Sequence, residues 1–253
     1  LNLSRFQSWA AEANALGDLE LQADAEWAVV KLLLALARLD EAVDLARKGE
    51  KAFGRLNAPK LAVGMRVALA HGLLWTGEQE ESHALLSEAE AIADEECGAY
   101  YRGLSAAHRS LARTRMKDTS GAQEIMHKAL RRARSGRSLR AHAFAHLAGG
   151  VLAASQDHLD VAAQHLLDAG VCFSELGEWA PSASMRARSA LCTLVAGDAP
   201  RAASIIANAL SSAQRTDRGI IALHIVGERI ARHLKQEDLR RRHRVALVQL
   251  GWH

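Results

Sequence analysis

The chain has 253 residues, 49% of them apolar and 24% charged, with a formal net charge of +3. Alanine fills 50 positions whereas Val, Ile and Thr together fill 25; aromatics make up 4% and there are three prolines. Strands prefer β-branched and aromatic residues and helices prefer Ala, Leu, Arg and Glu, so the composition points to an all-α chain and excludes a sheet-based enzyme fold.

No apolar run approaches the roughly 18 residues of a membrane span. The opening LNLSRF lacks the basic flank, apolar stretch and small-residue cleavage site of a secretory signal, and lacks an initiator Met, so the chain reads as a piece of a longer protein. Cys97, Cys172 and Cys192 are odd in number and widely spaced, which predicts reduced thiols in a cytoplasmic protein. Charge is uneven: residues 1–126 carry 14 Lys/Arg against 19 Asp/Glu, and residues 127–253 carry 18 against 10.

Taken in chain order, the predicted elements are one lone helix over 1–16 and helix pairs near 19–56, 58–95, 98–136, 137–176, 178–216 and 217–250. They follow a 40-residue period. A small residue recurs at Ala42, Ser82, Ala122, Ala162 and Ala202, early in the second (B) helix of each pair. Four residues later stand Ala46, Leu86, Met126, Leu166 and Ile206, and seven later Gly49, Ala89, Ala129, Ala169 and Ala209. Those offsets share one helical face, where small groups admit a neighbouring helix and the larger one fills the gap.

The first (A) helix of each pair carries its own stripe: Trp27, Val67, Ala107, Leu147, Ala187, and one turn on Val30, Ala70, Ser110, Gly150, Ala190. Between A and B the turn position reads Ala37, Gly77, Lys117, Asp157, Gly197. Pro59, Pro181 and Pro200 fall in first turns, where a missing N–H costs nothing. Gly17 and Gly177 suit left-handed C-caps, and Asp198 and Ser120 are the expected N-caps. Leu3 and Phe6 match the B positions of Val43 and Ala46, so residues 1–16 form a B helix without its A partner. The expected architecture is a right-handed α-α superhelix: a single solenoid domain over 1–253, of about six helix pairs plus one N-terminal orphan helix, with A helices on the concave wall.

These residues resemble the tetratricopeptide repeat family. Its small residue in helix A, Gly near the turn, Ala opening helix B, then a bulky residue and a second Ala correspond to Ala70 or Ala190, Gly77 or Gly197, Ala162 or Ala202, Leu166 or Ile206, and Ala169 or Ala209. The resemblance covers the whole chain, but the aromatic after the turn is replaced by Leu39, Gln79, Thr119, Leu159 and Ala199. The period is also 40 rather than 34. In length and style the repeats look like the sensor region of bacterial STAND regulators, including LuxR-type activators similar to the maltose regulator. In that family an ATPase module precedes the solenoid and a DNA-binding helix-turn-helix often follows it. No P-loop occurs here, so any ATPase module lies outside this chain.

Within the chain there is no nucleophile elbow and no Cys/His pairing, so no enzyme activity, cofactor or metal is expected. His142 and His146 have the i, i+4 spacing that can hold a metal. Without a Glu between them or a nearby cysteine, they read instead as two histidines lining a groove. The basic runs 131–140 and 240–244 lack stacking aromatics and read as solvated faces, not nucleic-acid sites. A candidate ligand- or peptide-binding column runs in register along the A helices: Arg66, His146 and Arg186, with Arg102, His142, Arg109 and Arg113 extending it. Such a column suits a carboxylate or phosphate, and Trp27 and Trp75 are candidate groove anchors. The sequence therefore reads as a non-enzymatic scaffold that binds a protein or peptide, acidic by complementarity, on its A-helix face. The alternative is a small-molecule inducer sensor of a STAND-type transcriptional activator.

Overall fold

A computed structural model describes residues 3–35, 38–53, 58–212 and 219–252. Among them are thirteen helices and no strand: α1 (Leu3–Leu16), α2 (Leu19–Ala35), α3 (Leu39–Phe53), α4 (Pro59–Thr76), α5 (Gln79–Glu96), α6 (Ala99–Arg115), α7 (Thr119–Ser135), α8 (Leu139–Ser155), α9 (Leu159–Glu175), α10 (Trp179–Val195), α11 (Ala199–Ser212), α12 (Gly219–His233) and α13 (Glu237–Gln249). They form six A/B pairs after a lone B helix, the all-α repeat architecture that the period implies. The residues divide into two compact units, Leu1–Arg137 and Ser138–His253.

In the first unit each helix from α1 to α7 packs on its chain neighbours, and the A helices α2, α4 and α6 also touch one another in sequence. The same neighbour packing runs from α8 to α13 in the second unit, where α10 also touches α12. The small positions explain the close approach. Ala42, Ser82, Ala122, Ala162 and Ala202 are each at most 1% exposed, and the bulky residues four further on are buried with them. Each buried Leu, Ile or Met at these positions contributes about 1.5–3 kcal/mol relative to exposure. Val30, Met65 and Leu73 are fully buried where α2, α3 and α4 meet, and Leu223 and Ile230 do the same for α10 to α12.

The same A–B contact is bridged from opposite sides in two successive repeats. The Ser82 hydroxyl of α5 donates to the Ala70 carbonyl of α4 (2.8 Å), whereas the Ser110 hydroxyl of α6 donates to the Ala122 carbonyl of α7 (2.8 Å). Positions 70 and 110, and 82 and 122, are equivalents one period apart. The buried hydroxyl is satisfied whichever helix carries it.

The turns follow the same register. Gly77, Lys117, Asp157 and Gly197 all adopt positive φ (97°, 62°, 60° and 95°), and the next amide closes back onto the A helix, as Asp118 N–H does on the Arg113 carbonyl (3.0 Å). The remaining expected turn residue, Ala37, lies outside the described residues. Asp198 accepts from the Arg201 amide (3.0 Å) as an N-cap. At α7 the cap is Asp118, which accepts from the Gly121 amide (3.0 Å), and not Ser120, which lies within the helix. A carboxylate at the N-terminus also meets the helix dipole, which a hydroxyl does not.

Candidate functional site

The charged residues of the A helices fall into two sets. One set turns toward B helices. On α4, Arg66 pairs with Glu50 of α3 (2.8 Å). On α6, Arg109 pairs with Glu90 of α5 (2.9 Å), and Lys128 (2.6 Å) and Arg132 (2.7 Å) of α7 reach the same carboxylate. Arg132 also holds Asp94 (2.6 Å). The Glu90 side chain is only 4% exposed. Burial alone would raise its pKa, but the bonds from Lys128 and Arg109 outweigh it and hold the carboxyl below its ordinary range.

Arg113 donates from Nε to Nε2 of His83 (3.1 Å) and pairs with Asp118 at the N-terminus of α7. His83 therefore accepts at Nε2 and is neutral, consistent with a pKa lowered by burial and by the Arg113 and Arg109 cations. In the second unit, His146 meets His165 of α9 with the two Nδ1 atoms 3.0 Å apart, and Asp168 lies 3.7 Å from the same atom of His146. His142 sits edge-on to His146, ring centroids 5.7 Å apart. Among the described residues no group of three or more His, Cys, Asp or Glu is arranged to hold a metal ion.

Register accounts for the contrast with Arg186. Arg66 finds its carboxylate sixteen residues back at Glu50. The position sixteen before Arg186 is Gly170, where a Cβ would come within 3.1 Å of the Arg186 Cγ, so the arginine stem lies directly over that glycine. The Arg186 Nε is buried without a hydrogen-bond partner among the described residues, and so is the Nε of Arg102 on α6.

The second set lies along the A-helix layer of the first unit. Trp27 is half-buried against the backbone of α4, its ring 3.2 Å from where a Gly64 Cβ would stand, with the Lys31 ammonium 3.9 Å from the ring centre. Trp75 is 48% exposed. Its indole N–H donates to Nε2 of His71 (3.1 Å), and the Arg115 guanidinium stands 4.7 Å from its ring centre. Trp75 and Arg115 are one period apart, so the A-on-A stacking of α4 and α6 brings them together. Beneath them His71 packs edge-on to His108 (5.3 Å). Full burial lowers the His108 pKa to about 4, and its Nδ1–H donates to the Leu104 carbonyl (3.0 Å). The result is an exposed indole locked in one orientation beside a cation, able to take an apolar side chain and a carboxylate together.

The structure thus joins Arg66, Arg109 and Arg113 to internal partners through their guanidinium groups, whereas among the described residues the Nε atoms of Arg102, Arg109 and Arg186 are buried without one. It divides the remaining candidates between the two units. Arg115 was missed in the sequence, although its phase with Trp75 carried the signal.

No protein-family model matches the sequence, and no curated protein is similar to it. Solved structures of the same fold do match. One is BtubC from P. vanneervenii, 16% identical over 83% of this chain and 88% of that one, with a TM-score of 0.60. A second is a STAND protein with a tetratricopeptide repeat sensor from Pyrococcus horikoshii, 13% identical with a TM-score of 0.63. This chain is covered over 95% of its length there but spans only 38% of that protein. A third is NprR in complex with its cognate peptide NprX, 13% identical over 98% of this chain and 73% of that one, with a TM-score of 0.55. The chain is therefore a tetratricopeptide-like helical repeat. No helix among the described residues is long and apolar enough to cross a membrane.

Proposed function

We propose that this chain is a non-enzymatic scaffold that binds a protein or peptide along its A-helix layer. The observation that carries the reading is the Trp75–Arg115 pair. A half-exposed tryptophan fixed by His71 has little rotamer entropy left to lose, and the neighbouring guanidinium favours an acidic group beside the anchor. Arg102 on the same helix layer extends the basic surface, while Arg186 and His142 supply the corresponding groups of the second unit. Arg66, Arg109, Arg113 and His146 keep their internal partners in this reading. NprR, of the same fold, holds a peptide, which supports this reading. So does the absence of a catalytic motif from the sequence.

The test is an array of short peptides of graded charge, probed with the wild-type chain and with a Trp75→Ala, Arg115→Glu double variant of equal helicity. Selective retention of acidic peptides carrying an apolar residue, lost in the variant, is the expected result. Equal retention by both proteins would sink the reading.

A second reading, the inducer-sensing region of a STAND-type cytoplasmic activator, is favoured by the match to the repeat sensor of the STAND protein. It expects a nucleotide-binding module upstream in the full-length reading frame, and a thermal shift with a small metabolite instead of a peptide.

A further inference from the structure

We propose that Arg186 on α10 is a receptor for a carboxylate from outside the chain, taken at the place that Glu50 fills beside Arg66. The proposal deepens the peptide-binding reading, on which it rests for the source of that carboxylate, by naming the group that the second unit takes up.

The repeat supplies the template. Arg66 and Arg186 are three periods apart, and so are Glu50 and Gly170. Arg66 holds one oxygen of Glu50 between two nitrogens, Nε at 2.9 Å and Nη2 at 2.8 Å. The two side chains are 18% and 21% exposed, so the place is sheltered yet reachable from solvent. Between α9 and α10 the arginine is kept and the carboxylate is gone. Gly170 ends at its backbone, where its carbonyl accepts from the Ser182 hydroxyl (2.7 Å), and the Arg186 stem lies over it. Arg186 is half-buried, and its Nε is shielded from water without a hydrogen-bond partner among the described residues.

No neighbouring acid takes over. Helix α10 carries Arg186 and Arg188 and no Asp or Glu. Asp168, two residues before Gly170, accepts from Gln164 (2.9 Å) and lies 3.7 Å from His146 of α8. The α5–α6 contact shows the opposite case. There Ala106 stands where Arg66 and Arg186 do, and Arg109, one turn on, serves Glu90 instead (2.9 Å). A guanidinium drawn partly out of water without a counter-ion is the uncompensated half of an ion pair. A planar carboxylate entering over Gly170 restores two charge-assisted bonds, through Nε and Nη2, as Glu50 does on Arg66.

The test follows the Arg186 Nε–H resonance by NMR at low salt, assigned with Arg186→Lys, as glutarate or neutral glutaramide is added. A saturable shift with glutarate, at a dissociation constant on the order of a millimolar, and none with glutaramide is expected. Gly170→Glu supplies the carboxylate from within, so its Arg186 resonance starts displaced and no longer titrates. Glu50→Ala vacates the equivalent place in the first unit, so Arg66, silent in the wild type, begins to titrate. That arm is independent of whether Gly170→Glu folds. An acidic peptide with blocked ends that saturates Arg186 at lower concentration than glutarate makes a peptide the source; the reverse order makes it a free organic acid. The Trp75→Ala, Arg115→Glu variant is altered in the first unit and titrates with glutarate as the wild type does, so loss of peptide capture there and loss of this site are read separately. Absence of saturation at Arg186, an equal response to glutaramide, or an Arg66 that stays silent in Glu50→Ala would each overturn the proposal.

Discussion

The Nδ1 atoms of His224 and His243 lie 2.9 Å apart across the α12–α13 pair. The same arrangement stands at His146 and His165 across α8–α9, at 3.0 Å. In both, the partners are nineteen residues apart. A glycine follows the first histidine by three positions: a Cβ on Gly149 or Gly227 would come within 3.1 Å of the His165 ring or 2.5 Å of the His243 ring. Each pair holds with one Nδ1 protonated and the other accepting, and fails when both rings are charged.

That geometry sets a pH dependence. Burial lowers the pKa of His224, and burial with the His224 charge lowers that of His243. Burial takes His108 from 6.5 to about 4. Histidines with depressed folded pKa values stabilise fully above their unfolded value near 6.5 and lose that contribution as pH falls toward the folded value. The His108 shift alone corresponds to about 3 kcal/mol. The urea midpoint is expected to be flat above neutrality and to fall steadily between pH 6.5 and 4. His108→Leu should flatten that fall, and an unchanged slope would show that His108 is not buried neutral.

Glu90 carries a second prediction. It is 4% exposed and answers three cations, so Glu90→Ala leaves Arg109, Lys128 and Arg132 facing one another. A loss of about 3 kcal/mol is expected in chemical denaturation, as for other buried pairs broken on one side. Arg38 and Glu41 form an exposed pair at 2.6 Å, and Glu41→Ala should leave the midpoint unmoved.

The turns give a third. Lys117 holds φ at 62° with a full side chain, a conformation glycine adopts freely. Lys117→Gly is expected to raise the thermal midpoint, by the equivalent of about 0.5–1 kcal/mol, and Gly77→Ala to lower it by about 1 kcal/mol. Calorimetry of the two variants decides it, since the signs must be opposite.

Hydroxyl bridging supplies the fourth. Ser82→Ala removes the only donor to the Ala70 carbonyl from α5 that the described residues show, at 2.8 Å. A loss of about 1 kcal/mol is expected in urea titration, and Ser110→Ala should match it from the other helix.

The period by itself determined most of the fold. Small residues forty apart can repeat only if the same helix approach repeats, so the thirteen helices, their pairing and the turn positions 77, 117, 157 and 197 were legible in the chain, whereas the positive φ that Lys117 and Asp157 adopt there was not. The charged residues were legible only as a phase. A lysine or arginine stem is long enough to reach either side of its helix, and its direction depends on where a carboxylate waits on another helix. Glu50 and Glu90 draw Arg66 and Arg109 toward the B helices, and Gly170 leaves Arg186 without such a partner. Trp27 and Trp75 looked alike in sequence, yet one is pressed on Gly64 and the other stands exposed beside Arg115. Backbone register follows from local volume and turn chemistry, which the sequence carries residue by residue. The orientation of polar side chains follows from desolvation and pairing across helices, which exist only once the helices have packed.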